Sequence, residues 1–142
     1  MIRACPACGK KNRVPAHHLT DTGKCGVCQA ALPPPSAPLE VDAATFDEIV
    51  GGAKVPVLVD FWADWCQPCR MAAPHVAKTA AELAGRAIVL KIDSDANPEV
   101  AARYDVRGIP NFIVFKGGRP LTQQAGLVDA RTLRGWLEAA GA

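Results

Sequence analysis

The sequence predicts an α/β domain, a central mixed β-sheet flanked by helices, preceded by a small cysteine-rich module. Three observations lead there. Beyond residue 38, apolar runs of strand length alternate with stretches of helical periodicity, as in a sheet covered by helices. Before residue 33, four of the six cysteines stand in two Cys-x-x-Cys pairs among very few large apolar side chains. Between the two lies Pro33-Pro34-Pro35-Ser36-Ala37-Pro38, which favours extended polyproline II geometry and can continue neither a helix nor a central strand. The chain therefore divides into a module over residues 1–32, a short stiff linker over 33–38 and an α/β domain over 39–142.

Composition narrows the function classes. A chain of 142 residues with 49% hydrophobic and 21% charged residues has a soluble globular balance. The formal net charge of +2 is too small to argue for nucleic acid on its own. No apolar run approaches the ~20 residues that span a membrane, so no membrane partner is expected. Met1-Ile2-Arg3-Ala4-Cys5-Pro6 lacks an apolar stretch followed by a small-residue cleavage site, so no secretory signal is expected. A cytoplasmic, reducing location follows, and there cysteines serve as metal ligands or redox groups rather than structural staples.

The first module carries Cys5-Pro6-Ala7-Cys8 and, after about sixteen residues, Cys25-Gly26-Val27-Cys28. That spacing matches a four-thiolate zinc ribbon in which each pair forms one knuckle. One structural Zn²⁺ per chain is expected on Cys5, Cys8, Cys25 and Cys28, since a closed tetrahedral set leaves no open position for catalysis. Metal binding also supplies the folding free energy that so small a core lacks. The alternative is a pair of disulfides, which belongs to an oxidising compartment. His17 and His18 are possible ligands but, with four cysteines at hand, are expected to be exposed.

In the second segment, Asp42 is placed to cap a helix through Phe46 and Ile49, which Gly51-Gly52 ends. Val55 to Trp62 is nearly all apolar, as in a strand buried on both faces. A helix is expected from about Pro68 to Leu83, with Pro74 kinking it. Ala87 to Ile92 is the next strand, and Asn97-Pro98 supplies an N-cap and a proline at the first helical position. Phe112 to Phe115, Gly117-Gly118 and Leu121 to Ala125 read as strand, turn and returning strand. Asp129 caps a last helix that packs Leu133, Trp136 and Leu137.

The remaining cysteines lie in Trp65-Cys66-Gln67-Pro68-Cys69, where a buried strand gives way to a helix. A thiolate at a helix N-terminus meets free N–H donors and the positive end of the macrodipole, so its pKa falls. Cys66 is the expected nucleophile, and Cys69, one turn further in and more shielded, the resolving thiol. Half of a second metal site is the other reading, but no further pair exists to complete it. Asp60 interrupts an apolar strand, and burial would raise its pKa towards the range of a general base. Lys91, in Val89-Leu90-Lys91-Ile92, is placed to approach it.

Asp60-Phe61-Trp62-Ala63, the Trp65-Cys66-x-Pro68-Cys69 site, Pro74, Lys91, Gly108-Ile109-Pro110 and Gly126 together resemble the thioredoxin family from about Leu39 to Ala142. With the ribbon in front, the chain is similar to the zinc-binding two-domain bacterial form of that family. The resemblance implies the thioredoxin fold, a cis bond at Ile109-Pro110 and a peptide groove built from Trp65, Gln67, Pro68, Ile109, Pro110 and Gly126. It also implies reduction of protein disulfides in two thiol exchanges, with an NADPH-dependent flavoprotein, thioredoxin reductase, regenerating the dithiol. Disulfide-bearing proteins are then the substrates, no bound organic cofactor is expected, and the chain is expected to be a monomer. Gln67 departs from the glycine usual in the family, which opens the reduction potential and substrate choice.

Two other readings compete. One is a thiol oxidant or isomerase on the same fold; Ile109 before Pro110 and the buried Asp60 favour the reducing branch. The other is a binding module with an inert second domain, because Arg3, Lys10, Lys11, Arg13 and Lys24 face Asp21 alone. Four thiolates on Zn²⁺ offset part of that excess and the module has no aromatic side chains to stack on bases, so nucleic acid is not expected.

Overall fold

Two small hairpins build the N-terminal module in the computed structural model, which describes residues 1–142. β1 (Ile2–Ala4) pairs antiparallel with β2 (Lys11–Arg13), and β3 (Gly23–Lys24) with β4 (Ala31–Leu32). Each hairpin turn carries one Cys-x-x-Cys pair, and Cys5, Cys25 and Leu32 form the module's small core. A single 3-10 turn, Ala16–His18, joins the hairpins.

The remainder is a five-stranded sheet in the order β5-β7-β6-β8-β9. Along the chain these elements are β5 (Leu39–Glu40), α1 (Ala43–Gly52), β6 (Val57–Trp62), α2 (Gln67–Glu82), β7 (Ile88–Asp93), α3 (Pro98–Arg103), β8 (Asn111–Lys116), β9 (Arg119–Ala125) and α4 (Ala130–Ala139). β5, β7 and β6 run parallel, and β8 and β9 continue antiparallel, so the sheet is mixed. β5 was not expected; it is two residues long and pairs with Leu90 and Lys91 of β7. Asp42 caps α1 by accepting from Thr45 N–H (2.8 Å), and Asp129 caps α4 by accepting from Thr132 N–H (2.9 Å), as the sequence predicts. Asn97 stands at the N-cap position of α3 but does not cap it. Its side-chain oxygen accepts from Ala43 N–H (3.0 Å), so it ties the start of α1 instead.

Side chains alternate across a strand, and that period divides the core in two. Val57, Val59 and Phe61 of β6 pack with Phe46, Ile49, Ile88, Leu90, Ile92 and Phe115 on the α1 side. Leu58 packs with Ala72, Val76, Val89, Phe112, Leu133 and Leu137 on the side covered by α2 and α4. Asp60 and Lys91 therefore project towards α2. No helix is long and apolar enough to cross a membrane.

The N-terminal module is docked on the second segment. Leu19, 1% exposed, belongs to the α1-side core. The first residue's ammonium donates to Val14 O (3.0 Å) and Glu48 Oε1 (2.8 Å), Lys54 pairs with Asp21 (2.7 Å), and Arg3 donates to Pro33 O (2.5 Å). The fit is close at Gly52, where an added Cβ would lie 2.9 Å from Ala16 Cβ. Leu19→Ala should leave a cavity in a core that α1 cannot close, lowering stability by about 3 kcal/mol. Urea denaturation of the full chain checks this, with an unmoved midpoint as the contrary result.

Candidate active site and metal centre

Cys66 is the N-cap of α2, and its Sγ accepts from Cys69 N–H at 3.2 Å. Gln67 and Pro68 open the helix, where a proline costs no hydrogen bond. The turn brings Cys66 and Cys69 to a Cα separation of 5.3 Å, and their sulfurs are joined. Opposite, the Ile109-Pro110 bond is cis, as the resemblance implies, and the Ile109 carbonyl oxygen lies 3.6 Å from Cys66 Sγ. Gly126 donates its N–H to Pro110 O (2.8 Å) with φ +96°, a conformation that favours glycine.

The greater shielding expected of Cys69 is not seen. Cys66 is 3% exposed and Cys69 5%, because the Ile109 segment covers Cys66 as fully as α2 covers its partner. What separates the two sulfurs is the helix terminus, which donates to Cys66.

Trp65 is 70% exposed and its indole N–H donates to Asp95 (2.7 Å). A cavity of about 320 Å³ beside it is lined by Trp65, Ser94, Asp95, Val106, Arg107 and Ile109 among others. Of the six groove residues expected, only Trp65 and Ile109 line this cavity; Gln67 and Pro68 lie exposed on the helix entrance, and Gly126 is half-buried. Pro110 is itself buried, so it shapes the Ile109 backbone rather than offering surface. Ser94, Asp95 and Arg107 are polar liners that apolar patterning does not reveal.

Asp60 is 0% exposed, and neither carboxylate oxygen has a hydrogen-bond partner. Burial pushes its pKa up to about 7, against the pull of the Lys91 ammonium and with a further push from Glu40. The Lys91 ammonium stands over the Trp62 ring, 4.8 Å from its centroid. A cavity of about 130 Å³ brings Lys91 and Cys69 to one space, walled also by Trp62, Asp64 and Arg70.

At the other end, Cys5, Cys8, Cys25 and Cys28 place their sulfurs within 4.8 Å of one another, with Cys5–Cys28 and Cys8–Cys25 at 3.6 Å. Sulfurs about 2.3 Å from one tetrahedral ion are about 3.8 Å apart, so the set fits a metal. The acidities agree. Backbone N–H groups of Cys28 and Val27 pull Cys25 down to about 6. The Ala30 N–H also favours the Cys28 thiolate, yet crowding by Cys8, burial and the other thiols push Cys28 up to about 12. Four thiols this close do not all ionise without a cation. Ala7 and Val27 N–H groups point at Cys5 and Cys25 Sγ (3.4 Å each), as in a metal knuckle. His17 and His18 are exposed, and His18 pairs with Asp21 (2.9 Å), outside the cluster.

The family model described as Thioredoxin matches residues 37–139. The chain belongs to the thioredoxin family. A second model, Thioredoxin 2, N-terminal, matches residues 4–30 and identifies the first module as that family's zinc ribbon. Thioredoxin C-3 of Corynebacterium nephridii is 37% identical over 138 residues, covering 97% of this chain and 94% of that protein. Thioredoxin 1 of a Nostoc species is 46% identical over 103 residues, 72% of this chain and 96% of the relative. A mutant thioredoxin from Halobacterium salinarum superposes with a TM-score of 0.68 at 38% identity, covering 76% of this chain and 94% of that structure. The chain is thus a thiol–disulfide oxidoreductase of thioredoxin fold with a metal-binding ribbon. As a thioredoxin it acts on disulfide-bearing substrates and is recharged by a reductase.

Proposed function

We propose that this thioredoxin is a cytoplasmic, monomeric protein-disulfide reductase in which Cys66 attacks and Cys69 resolves. The observation that carries the assignment is the Cys69 N–H donated to Cys66 Sγ at the start of α2. That bond and the helix terminus stabilise a thiolate on Cys66 alone. Reduced Cys66 attacks one sulfur of a substrate disulfide, forming a mixed disulfide and releasing the other substrate sulfur as thiolate, which takes a proton from water. Asp60, paired in register with Lys91 on the face towards α2, accepts the Cys69 proton through water. The Cys69 thiolate attacks Cys66 Sγ, the Cys66–Cys69 disulfide forms, and the second substrate sulfur leaves. Two electrons from an NADPH-dependent flavoprotein reductase restore the dithiol. Trp65, Gln67, Pro68, Ile109, Pro110 and Gly126 shape the surface that receives the substrate strand.

The ribbon metal is zinc, one per chain, because an all-thiolate tetrahedral set selects it over harder cations. It supplies the folding free energy of residues 1–32. Insulin-disulfide reduction with the reductase and NADPH, with metal analysis of the same sample, tests both parts. A chain covering residues 33–142 should still reduce insulin, since every proposed catalytic residue lies beyond the linker. Its thermal midpoint should fall, because Leu19 and Ala16 no longer cover α1. An inactive fragment that is nonetheless folded would show that the ribbon helps to build the active site.

A further inference from the structure

Glu40 closes a chain of contacts that ends at Asp60. The parallel registers set Glu40 opposite Lys91, and Lys91 opposite Asp60. Paired residues on neighbouring strands project to the same face, so one ammonium is flanked by two carboxylates. It pairs with neither. Both Asp60 oxygens are without a partner, and the ammonium lies instead over the Trp62 ring, 4.8 Å from its centroid. Glu40 holds that ring by its edge, Trp62 Nε1 donating to Oε1 at 3.1 Å and to Oε2 at 3.2 Å.

We propose that Glu40 is a positioning residue for the resolving step, gripping the Trp62 ring on which the Lys91 ammonium rests so that this charge does not collapse onto Asp60. The inference rests on the reading of Asp60 as the base for Cys69. A cation directly paired with a carboxylate lowers its pKa by about 1–3 pH units, and so weak a base would take a thiol proton poorly. Two physical effects of Glu40 act in one direction. Its negative charge repels a charge on Asp60, and the Trp62 face it orients gives the ammonium a place to rest that is not Asp60. The Asp60 pKa follows this order, burial raising it, Lys91 lowering it and Glu40 raising it. Glu40 is itself raised by burial, with Lys91 and the Trp62 hydrogen bond opposing, and Asp93 and Asp64 adding to the rise. Arg70 and Cys69 complete the titratable and charged groups around this space.

The test is a carbon-13 titration of the Asp60 carboxyl in the full, metal-loaded chain, paired with the pH dependence of mixed-disulfide resolution. Glu40→Gln should move the Asp60 midpoint down by about one pH unit, and the acid limb of the rate profile with it. Glu40→Asp, which keeps the charge, should restore most of that change. In a Lys91→Met background the Glu40→Gln effect should shrink to half or less, because the cation it steers is gone. An unmoved midpoint in Glu40→Gln, with Asp60→Asn still slow, overturns the role of Glu40 alone. An equal effect with and without Lys91 also overturns it. A midpoint that moves while the rate profiles of Glu40→Gln and Asp60→Asn both match the parent removes Asp60 as base, and this inference with it.

Discussion

Cys66→Ser is expected to lower insulin reduction by about a thousandfold or more, the loss typical when a covalent nucleophile is removed. The only remaining thiol in the second domain would be Cys69, which sits inside α2 and lacks the N-cap hydrogen bond that Cys66 receives. The ribbon thiols are clustered with one another in the other module, their sulfurs within 4.8 Å, as a metal-ligand set. Cys69→Ser should behave differently. Attack by Cys66 survives, so a mixed disulfide forms, but no sulfur stands within a turn to displace it, and the adduct accumulates. Mass spectrometry of each variant after exposure to a disulfide protein separates the roles. Adducts on Cys66→Ser and none on Cys69→Ser would reverse them. Because the two residues are almost equally buried, exposure does not anticipate this result; the helix terminus does.

How legible the protein was in its sequence depended on whether the signal was local. Asp42 and Asp129 announced their helices because a cap is a contact within three residues. The four ribbon cysteines were readable because a four-thiolate metal site fixes their spacing. Asp60 was readable as an anomaly, a charge in an apolar run. Leu19 was not, because one apolar residue in a polar module has no period, and its burial is created by α1, about thirty residues away in sequence. β5 has two residues, too few to show alternation, and without β5 nothing marks Glu40 as a neighbour of Lys91. Asn97 looked like a cap and is one by position, yet its side chain serves α1 instead, a choice made by tertiary packing. In the cavity beside Trp65, Ser94, Asp95 and Arg107 carry no sequence signal for a related reason, since they meet Trp65 and Ile109 only once the loops are folded.

Asp60→Asn is expected to make the fold more stable at pH 8 while slowing resolution about a hundredfold, the scale of a general-base contribution. The sign follows from the raised pKa. An acid whose folded pKa stands at about 7, against 3.8 in the unfolded chain, binds a proton more tightly when folded. Between those two values the folded state holds more protons than the unfolded one, so stability falls as pH climbs through this window. Well below pH 3.8 both states are protonated and the cost is absent, and at pH 4 it is still small. Above pH 7 it is complete, about 4 kcal/mol at roughly 1.4 kcal/mol for each pH unit. Asparagine has no charge to bury, so its stability should not carry this pH dependence. It has its own cost, because the site offers a polar group no partner, and that cost is the same at every pH. The gap between variant and parent in urea should therefore widen in the variant's favour from pH 4 to pH 8. A constant gap would mean that the carboxylate is hydrated in solution and is neither desolvated nor raised. Resolution rates measured on the Cys66 mixed disulfide complete the test. If Asp60→Asn gains stability with pH and resolves at the parent's rate, the buried acid is a structural burden and Cys69 gives its proton to water directly.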